Sequence, residues 1–240
     1  MEKRTLIGVL TPSSNTVLEP LTSAMVGQLD NVSAHFGRFA VTEISSSNKS
    51  TAQFNLDNQL AAAELLAHAQ VDAIVWSGTS ASWLGFEKDR ELCAAIENKT
   101  GIVAGSAVLA INELFDACDA KTFGLVSPYE TSIQDKIIAN YARSDLTCVA
   151  EKHLGETRNF EFANFSEATV ESAIREVAKS NPDAITIMCT NMRGARSASK
   201  LEKEFNIPIF DSTAAAVWTG MRLAGEDPGK IKQWGKLFVY

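Results

Sequence analysis

The feature of this sequence that most constrains its fold is an internal repeat. Residues 7–12 (IGVLTP) return in the second half of the chain as residues 123–128 (FGLVSP), and residues 71–78 (VDAIVWSG) return as residues 182–189 (PDAITIMC). Because the same strand-and-loop segments recur in the same order, the pattern indicates two copies of one structural unit. The repeat predicts two similar lobes and a C-terminal extension, at 1–117, 118–222 and 223–240.

Both copies alternate short apolar runs with segments of helical periodicity. The predicted buried strands are residues 5–10, 73–76, 123–126 and 184–188. Alternating strands and helices are typical of the α/β class, so we predict a parallel sheet covered by helices in each lobe. The apolar helix positions are Leu56, Leu60, Ala63 and Ala67 in the first copy, and Val170, Ala173, Ile174, Val177 and Ala178 in the second.

Capping-box spacing marks the expected start of two helices. Thr16 is followed by Glu19, and Thr131 by Gln134, each pair at the spacing in which a hydroxyl bonds a backbone N–H of the first helical turn. We expect a helix to begin just after each preceding strand.

The composition is ordinary for a globular protein, with 45% hydrophobic residues among 240, and it excludes several classes of function. The 29 acidic and 22 basic side chains give a formal net charge of −7, which argues against a nucleic-acid partner and weakly against an anionic membrane. The apolar runs are too short for a membrane-spanning helix. The four cysteines show no C-x-x-C spacing, so neither a disulfide framework nor a zinc site is indicated. We expect a cytoplasmic protein.

The loops that follow the repeated strands are the candidate site, because ligands of parallel sheets bind beyond the carboxyl ends of the strands. The four loops are residues 11–16, 77–82, 127–131 and 189–193. If the lobes face each other about a pseudo-twofold axis, these loops converge on one cleft. Gly78 and Cys189 then close equivalent strands on opposite walls.

Cys189 is the residue in these loops with the most distinctive chemistry. A thiol at a strand-to-helix turn meets backbone N–H groups, which can lower its pKa. The alternative role is that of a small buried apolar residue, which is the usual role of a free cysteine. Packing is the expected role of Cys93, Cys118 and Cys148.

Small and hydroxyl-bearing residues in the other loops are candidates for binding a carboxylate. The turn Gly78, Thr79 and Ser80 offers hydroxyl and amide donors, although an ordinary turn has the same composition. Tyr129 follows the third repeated strand, where its phenol can donate to an oxyanion or only pack. Ser14 and Asn15 precede a predicted helix, whose N-terminus attracts anions but also needs a cap.

The sequence indicates neither a metal nor an organic cofactor. The three histidines are scattered without metal-ligand spacing, and no glycine-rich phosphate-binding motif occurs. Asp72 and Asp183 recur in the repeat, but they lie just before strands, at the end away from the cleft. We expect both to be structural.

Together these segments resemble the aspartate/glutamate racemase superfamily, and within it the branch of arylmalonate decarboxylases and maleate cis–trans isomerases. The resemblance runs nearly end to end. It rests on residues 8–16 (GVLTPSSNT), 77–82 (SGTSAS), 128–129 (PY), 189–191 (CTN) and 235–238 (GKLF). It implies two lobes related by a pseudo-twofold axis, an active-site cleft between them, and chemistry without a cofactor.

The resemblance also implies which residues act. Most of the superfamily carries one cysteine on each wall, whereas here Cys189 matches the second position and Gly78 stands at the first. The Gly78 turn is similar to that of the arylmalonate decarboxylases. The loop around Asn15 is similar to that of the maleate isomerases, where Asn15 would hold a substrate carboxylate. The segment Cys189, Thr190 and Asn191 departs from the Cys-Gly-Gly of the decarboxylases.

The function that this resemblance favours is decarboxylation of a substituted malonate-type dicarboxylic acid. Thr79, Ser80 and Tyr129 would stabilise the enediolate, together with backbone groups near Cys189 and Thr190, and the Cys189 thiol would protonate it. Three alternatives stay open: a maleate isomerase-like enzyme, a racemase-like enzyme on a small carboxylic acid, and a non-catalytic carboxylate-binding relative. A homo-oligomer is also left open. The expected substrate-binding residues are Ser14, Asn15, Gly78, Thr190 and Asn191.

The repeat makes one further prediction about geometry. A side chain at position 78 should face Cys189 across the ligand, so that Gly78→Cys would create a two-thiol site. Trp83, close to the Gly78 turn, favours a bulky or aromatic substituent on the substrate, or else serves as a core anchor. The expected pocket lining is Phe39, Val41, Trp83, Phe160, Phe162 and Met192.

Overall fold

The strands form two parallel four-stranded sheets of equivalent order. The computed structural model describes residues 4–45 and 52–240. The first sheet has the order β2-β1-β3-β4 and the second β6-β5-β7-β8, which confirms the α/β class and the duplicated lobes. The strands are β1 (Thr5–Pro12), β2 (Val32–Phe39), β3 (Ala73–Trp76), β4 (Ala104–Ser106), β5 (Thr122–Ser127), β6 (Thr147–His153), β7 (Ala184–Ile187) and β8 (Ile209–Asp211).

Helices cover both sheets, and short 3₁₀ segments occur in the connections and near the C-terminus. No helix in the described part of the chain is long and apolar enough to cross a membrane. The helices are α1 (Leu18–Val26), α2 (Leu56–His68), α3 (Ala81–Leu84), α4 (Glu87–Thr100), α5 (Ala107–Ala117), α6 (Thr131–Ala142), α7 (Glu167–Ala178), α8 (Ala195–Phe205) and α9 (Ser212–Leu223). The 3₁₀ segments are Ala52–Phe54, Asn159–Asn164, Pro228–Lys230 and Lys236–Val239.

The apolar stripe predicted for α7 is confirmed, since all five of its residues are buried. The stripe predicted for α2 is only partly correct: Ala63 is buried and Leu60 packs on the core, but Gln59, Ala62 and Leu66 complete the buried face and Leu56 is 40% exposed. Two glycines explain why α2 buries a different face from the predicted one. Leu66 packs where β1 and β2 carry Gly8 and Gly37, and a Cβ at either position would lie only 3.3 or 3.2 Å from Leu66 Cδ1.

The two helix starts fall near their predicted positions, but their capping is different. α1 begins at Leu18, and its first N–H groups are accepted by Asn15 Oδ1 rather than by Thr16. α6 begins at Thr131 without a side-chain cap. Gln134 bonds Ser127 and Glu151 instead of closing a capping box, because β5 and β6 present those groups to its amide.

The structural role of the repeated aspartates is confirmed. Asp72 Oδ2 accepts the N–H of Leu6 at 2.8 Å, and Asp183 Oδ2 accepts the N–H of Thr122 at 2.8 Å. Leu6 and Thr122 occupy equivalent places in the two copies of the repeat. Each carboxylate therefore fixes the start of its lobe's central strand, away from the cleft.

The last helix of each repeat packs on the sheet of the other lobe. On α9, a Cβ at Gly220 would lie 2.9 Å from Ile7 and 3.1 Å from Val75, both in the first sheet. On α5, the ring of Phe115 lies 5.5 Å from Phe123 and 5.6 Å from Phe210, both in the second sheet. The two helices also pack against each other. The lobes are therefore interlocked, and the boundaries 1–117 and 118–222 stay a prediction from the sequence repeat.

Candidate active site

A small cavity opens between the lobes, at the carboxyl ends of β1, β3, β5 and β7. Its position agrees with the cleft predicted from the four loops. Six of the predicted site residues line it: Gly78, Thr79, Ser80, Tyr129, Cys189 and Thr190. The remaining lining residues are Pro12, Val41, Ile44, Phe54, Trp76, Trp83 and Asn159.

Cys189 follows β7 and is a buried thiol, only 3% exposed. Burial raises its pKa to about 12, although hydrogen bonds from the Asn191 backbone and the Tyr129 phenol act in the opposite direction. The negative charge of Asp211 raises the pKa further. A position at this turn can lower the pKa of a thiol, but for Cys189 the effect of desolvation is larger than that of the backbone N–H groups. At neutral pH Cys189 is therefore protonated, which suits a proton donor better than a nucleophile.

Thr79 and Tyr129 bring two hydroxyls together from opposite lobes. Thr79 Oγ1 lies 2.7 Å from Tyr129 Oη, and both side chains are buried. Burial raises the pKa of Tyr129 well above its usual value, and the nearby Cys189 adds to the effect, so the phenol keeps its proton. The pair carries two hydroxyl protons and uses one between its members. When Tyr129 donates to Thr79 rather than to Cys189, the Thr79 proton is left for a ligand oxygen.

Ser80 and Thr190 contribute to the cavity in different ways. Ser80 stands at the N-terminus of α3, and its side chain makes no capping bond there. Thr190 uses its hydroxyl within the protein: Oγ1 donates to Ser77 O at 3.1 Å and accepts from Asn15 Nδ2 at 3.1 Å. The Thr190 hydroxyl therefore has no proton left to donate to a ligand.

Ser14, Asn15 and Asn191 are not among the residues that line the cavity. Their hydrogen bonds instead connect the loops that carry the lining residues. Ser14 Oγ donates to Val41 O and accepts from Asn159 Nδ2. Asn191 accepts the N–H of Thr16 and donates to Asn159 O. These bonds tie the first loop of one lobe to the last loop of the other. Direct contact of these three residues with a substrate stays a prediction.

Two segments outside the sheets, residues 42–44 and 157–159, bond to each other beside the cavity and are called the strap below. Ile44 N donates to Thr157 O at 2.7 Å, and Asn159 N donates to Thr42 O at 3.0 Å. Between these two bonds, an antiparallel bridge joins Glu43 to Arg158. Ile44 and Asn159 line the cavity from the strap, and the sequence analysis did not identify them. They lie outside regular strands, so no periodic pattern marks them.

Trp76 is the most consequential residue that the sequence analysis missed. It is the last residue of β3 and lies two positions before Gly78. A Cβ added to Gly78 would overlap the indole carbons Cζ2, Cη2 and Cε2 of Trp76. Gly78 and Cys189 do line one cavity, but the space for a side chain at position 78 is filled. The prediction that Gly78→Cys alone yields a second thiol therefore conflicts with this indole.

The expected pocket lining is partly correct. Val41 and Trp83 line the cavity. Phe39 packs behind it on Trp76, with ring centroids 5.0 Å apart, and Phe162 packs on Tyr129 at 5.4 Å. Outside the lining, Phe160 is 54% exposed and Met192 is fully buried. Aromatic residues were expected near the cleft, but their directions depend on tertiary packing.

The other cysteines lie outside the cavity lining. Burial raises the pKa of each, to about 12 for Cys93 and about 11 for Cys148. Their surroundings agree with packing roles. In the described ranges, no group of three or more His, Cys, Asp and Glu side chains is arranged to hold a metal ion.

The fold and cavity define a two-lobed α/β protein with one buried thiol in its interlobar cleft. A family model for arylmalonate decarboxylase matches residues 7–238, which is nearly the whole chain. The chain belongs to the arylmalonate decarboxylase family.

Relatives carry the names of two activities. A maleate isomerase from Nocardia farcinica (strain IFM 10152) is 24% identical over 223 residues, covering 90% of this chain and 88% of the relative. An arylmalonate decarboxylase from Bordetella bronchiseptica is 24% identical over 164 residues, covering 67% of this chain and 68% of the relative. The relatives are thus enzymes of two classes, lyases and isomerases.

The fold is also that of a solved relative. A mutant of the Nocardia farcinica maleate cis–trans isomerase, with a covalently bound succinylcysteine intermediate, superposes with a TM-score of 0.88. The match covers 98% of both chains at 21% sequence identity. At this identity the likeness establishes the two-lobed architecture and not the reaction.

Proposed function

We propose that this chain is a cofactor-independent decarboxylase of a substituted malonate-type dicarboxylic acid, in which Cys189 protonates an enediolate. One observation carries the proposal: among the described residues that line the cavity, Cys189 is the only one with a thiol. Gly78 lines the same cavity, and the Trp76 indole occupies the place of a side chain there. Protonation of a carbanion needs one acid, whereas exchange of a proton between two faces normally needs two.

The donors around the cavity suit a carboxylate that becomes an enediolate. Thr79 and Tyr129 share one hydrogen bond, and their second proton can point to the ligand. Ser80 adds a further hydroxyl at the edge of the cavity. Donors that are held in place before charge develops stabilise the transition state, by about 3–4 kcal/mol each in comparable oxyanion sites.

The rest of the cavity suits the carboxylate that leaves. Pro12, Val41 and Ile44 form apolar wall on the side of the first lobe and its strap. A carboxylate held against such a wall loses hydration, which favours its departure as neutral CO2. When the C–C bond breaks, its electron pair passes into the retained carboxylate and forms the enediolate.

Cys189 completes the reaction by giving its proton to the α-carbon. Its raised pKa, about 12, keeps the thiol protonated until the carbanion forms. The resulting thiolate is a strong base in a desolvated site, and it regains a proton from water once the product leaves. Because the thiol lies on one wall, the proton arrives on one face of the α-carbon.

Maleate isomerisation is the second candidate, supported by the isomerase name of a relative that covers 90% of this chain. In that reaction Cys189 would add to the double bond as a thiolate. The raised pKa of Cys189 makes this state uncommon at neutral pH. The buried thiol therefore favours decarboxylation.

A substrate screen tests the proposal directly. The purified chain is incubated with methylmalonate, phenylmalonate, maleate and small amino acids, while CO2, fumarate and optical rotation are followed. We expect CO2 from at least one substituted malonate and a product enriched in one enantiomer. Fumarate from maleate without CO2 from any malonate would contradict the proposal and favour the isomerase.

A further inference from the structure

We infer that Trp76 forms the substrate-binding wall opposite Cys189: its ring fills the side-chain space of residue 78, and its Nε1–H donates to a carboxylate oxygen of the substrate. The second part rests on the proposed function, because it requires a carboxylate in this cavity. The first part depends only on packing.

The ring is held in place by its neighbours. Trp76 is 1% exposed, and its ring centroid lies 5.0 Å from that of Phe39 and 6.5 Å from that of Phe54. Gly78 has no positive φ, so its backbone conformation would accept an L side chain. The obstacle at position 78 is therefore the indole, which overlaps the place of a Cβ.

The indole also brings an unused donor to the cavity. Trp76 Nε1 is buried and has no hydrogen-bond partner among the described residues. An indole N–H is a donor only, so its missing partner must be an acceptor. A buried donor without a partner is costly to maintain. Trp76 lines the cavity together with Thr79 and Cys189, where a dicarboxylate would supply acceptor oxygens.

The charge of the site agrees with this ligand class. Cys189 and Tyr129 both keep their protons, so neither repels an anion. Thr79, Tyr129 and Trp76 offer hydroxyl and N–H donors from two sides of the cavity. The retained carboxylate of the substrate can accept from these donors, whereas an ammonium group would leave the Trp76 N–H without an acceptor.

Succinate binding tests the donor role. Succinate has no malonyl carbon and no double bond, so it binds without turnover in either candidate reaction. Trp76→Phe keeps an aromatic ring and removes the N–H. We expect the Kd for succinate, measured by calorimetry, to rise about 10- to 100-fold, as for loss of a hydrogen bond to a charged group. An unchanged Kd overturns the donor role.

Trp218→Phe is the matched control. Trp218 is also buried with an unpartnered Nε1, but it is not among the cavity-lining residues and has Arg222 over its ring. Its replacement should leave the Kd for succinate within about twofold of the wild type, because a residue that does not contact the ligand or its neighbours has little effect on binding. An equal loss of affinity in both variants would show a general structural effect and overturn the donor role.

A double-mutant cycle tests the space-filling role without any ligand. Gly78→Ala adds one Cβ and should lower Tm by several degrees, whereas the same change in a Trp76→Leu background should cost much less. If Trp76→Leu does not fold, Trp76→Phe provides the second background. An unchanged Tm for Gly78→Ala, or an equal loss in both backgrounds, overturns the role.

The two experiments separate this inference from the proposed function. The double-mutant cycle measures Tm without a ligand, so its result does not depend on whether the chain is a decarboxylase or an isomerase. Failure of the wild type to bind succinate would overturn the donor role together with the carboxylate site, and the cycle would still decide what fills position 78.

Discussion

Thr79 Oγ1 and Tyr129 Oη lie 2.7 Å apart across the interlobar cleft, so the two lobes jointly build one pair of donors. Thr79 follows β3 and Tyr129 follows β5. Ser82 fixes the Thr79 turn by donating to its carbonyl at 2.7 Å. Neither lobe alone carries both hydroxyls, which is a physical reason for the site to lie between them.

Removing the phenol should slow the proposed reaction. Tyr129→Phe keeps the ring against Trp83 and Phe162 but deletes one hydroxyl of the pair. We expect kcat to fall about 10- to 1000-fold, the range for one donor to a developing oxyanion, with a smaller change in KM. The measurement is the initial rate of CO2 release.

Tyr141→Phe is the matched control for this variant. Tyr141 is equally buried, and its hydroxyl lacks a hydrogen-bond partner within the described ranges, but it does not line the reaction cavity. Its replacement should change kcat by less than about threefold, because no donor near the substrate is lost. If both variants slow to the same degree, Tyr129 is only a packing residue.

The protonation state of Cys189 predicts a distinctive pH profile. With its pKa raised to about 12, the thiol is protonated throughout the neutral range and is lost as a donor only when the pH rises toward that value. The kcat of decarboxylation should therefore not rise between pH 6 and 9. A reaction through the thiolate would instead accelerate about tenfold per pH unit below the pKa. Such a rise would contradict the proton-donor role.

Replacing the thiol should abolish turnover. Cys189→Ala removes the acid, and we expect kcat to fall by several orders of magnitude. Cys93→Ala is the control, because Cys93 is a buried cysteine whose pKa is also raised to about 12 but which lies outside the cavity. Wild-type turnover by Cys189→Ala would show that the cysteine only packs.

The sequence predicted those parts of the molecule that local patterns determine. The strands and the positions of Gly78 and Cys189 followed from a repeat of apolar runs and turns. The direction of the Trp76 ring did not, because it depends on contacts with Phe39 and Phe54 from other segments. The spacing of two residues between Trp76 and Gly78 was a usable signal, because positions two apart in an extended segment face the same way.

The buried face of a helix and the hydrogen bonds between distant segments also cannot be predicted from one sequence alone. The face of α2 is set by Leu66 against glycines in two strands that are distant in sequence. The amide of Asn15 bonds Thr190 across the cleft, a contact that only the completed fold creates. Local composition identified Asn15 as a cap or a ligand, and the structure uses it as a cap and a bridge.

The double role of Asn15 predicts a large loss of stability. Asn15 Oδ1 accepts two N–H groups at the start of α1, and Nδ2 donates to Thr190 across the lobes. Asn15→Ala should cost about 0.5–2 kcal/mol for the cap and about 1 kcal/mol more for the interlobe bond. Urea unfolding measures both contributions together.

Asn55→Ala separates these contributions. Asn55 caps α2 through one bond to the Asp57 N–H and lies at the exposed end of its helix. This variant should lose only the cap contribution. A smaller loss for Asn15→Ala than for Asn55→Ala would show that the bridge does not stabilise the lobes.

Asp89 predicts how the stability of the fold depends on pH. Its side chain on α4 is 2% exposed, and within the described ranges its Oδ2 has no hydrogen-bond partner. Burial raises its pKa from 3.8 to about 7, although a hydrogen bond with Ser106 opposes the shift. The folded protein thus favours the protonated form. The stabilisation by this proton is full below the ordinary pKa and is lost as the pH rises through about 7.

Asp89→Asn should remove this dependence, since an amide stays neutral at every pH. We expect the Tm of the variant to gain on that of the wild type between pH 5 and pH 8, because only the wild type acquires a buried charge over that range. Asp135→Asn, at an exposed position on α6, should show no such change in the difference. A constant difference between Asp89→Asn and the wild type would mean that Asp89 keeps one protonation state across the range. If the Tm of Asp89→Asn instead falls relative to that of the wild type as the pH rises, a partner stabilises the Asp89 carboxylate.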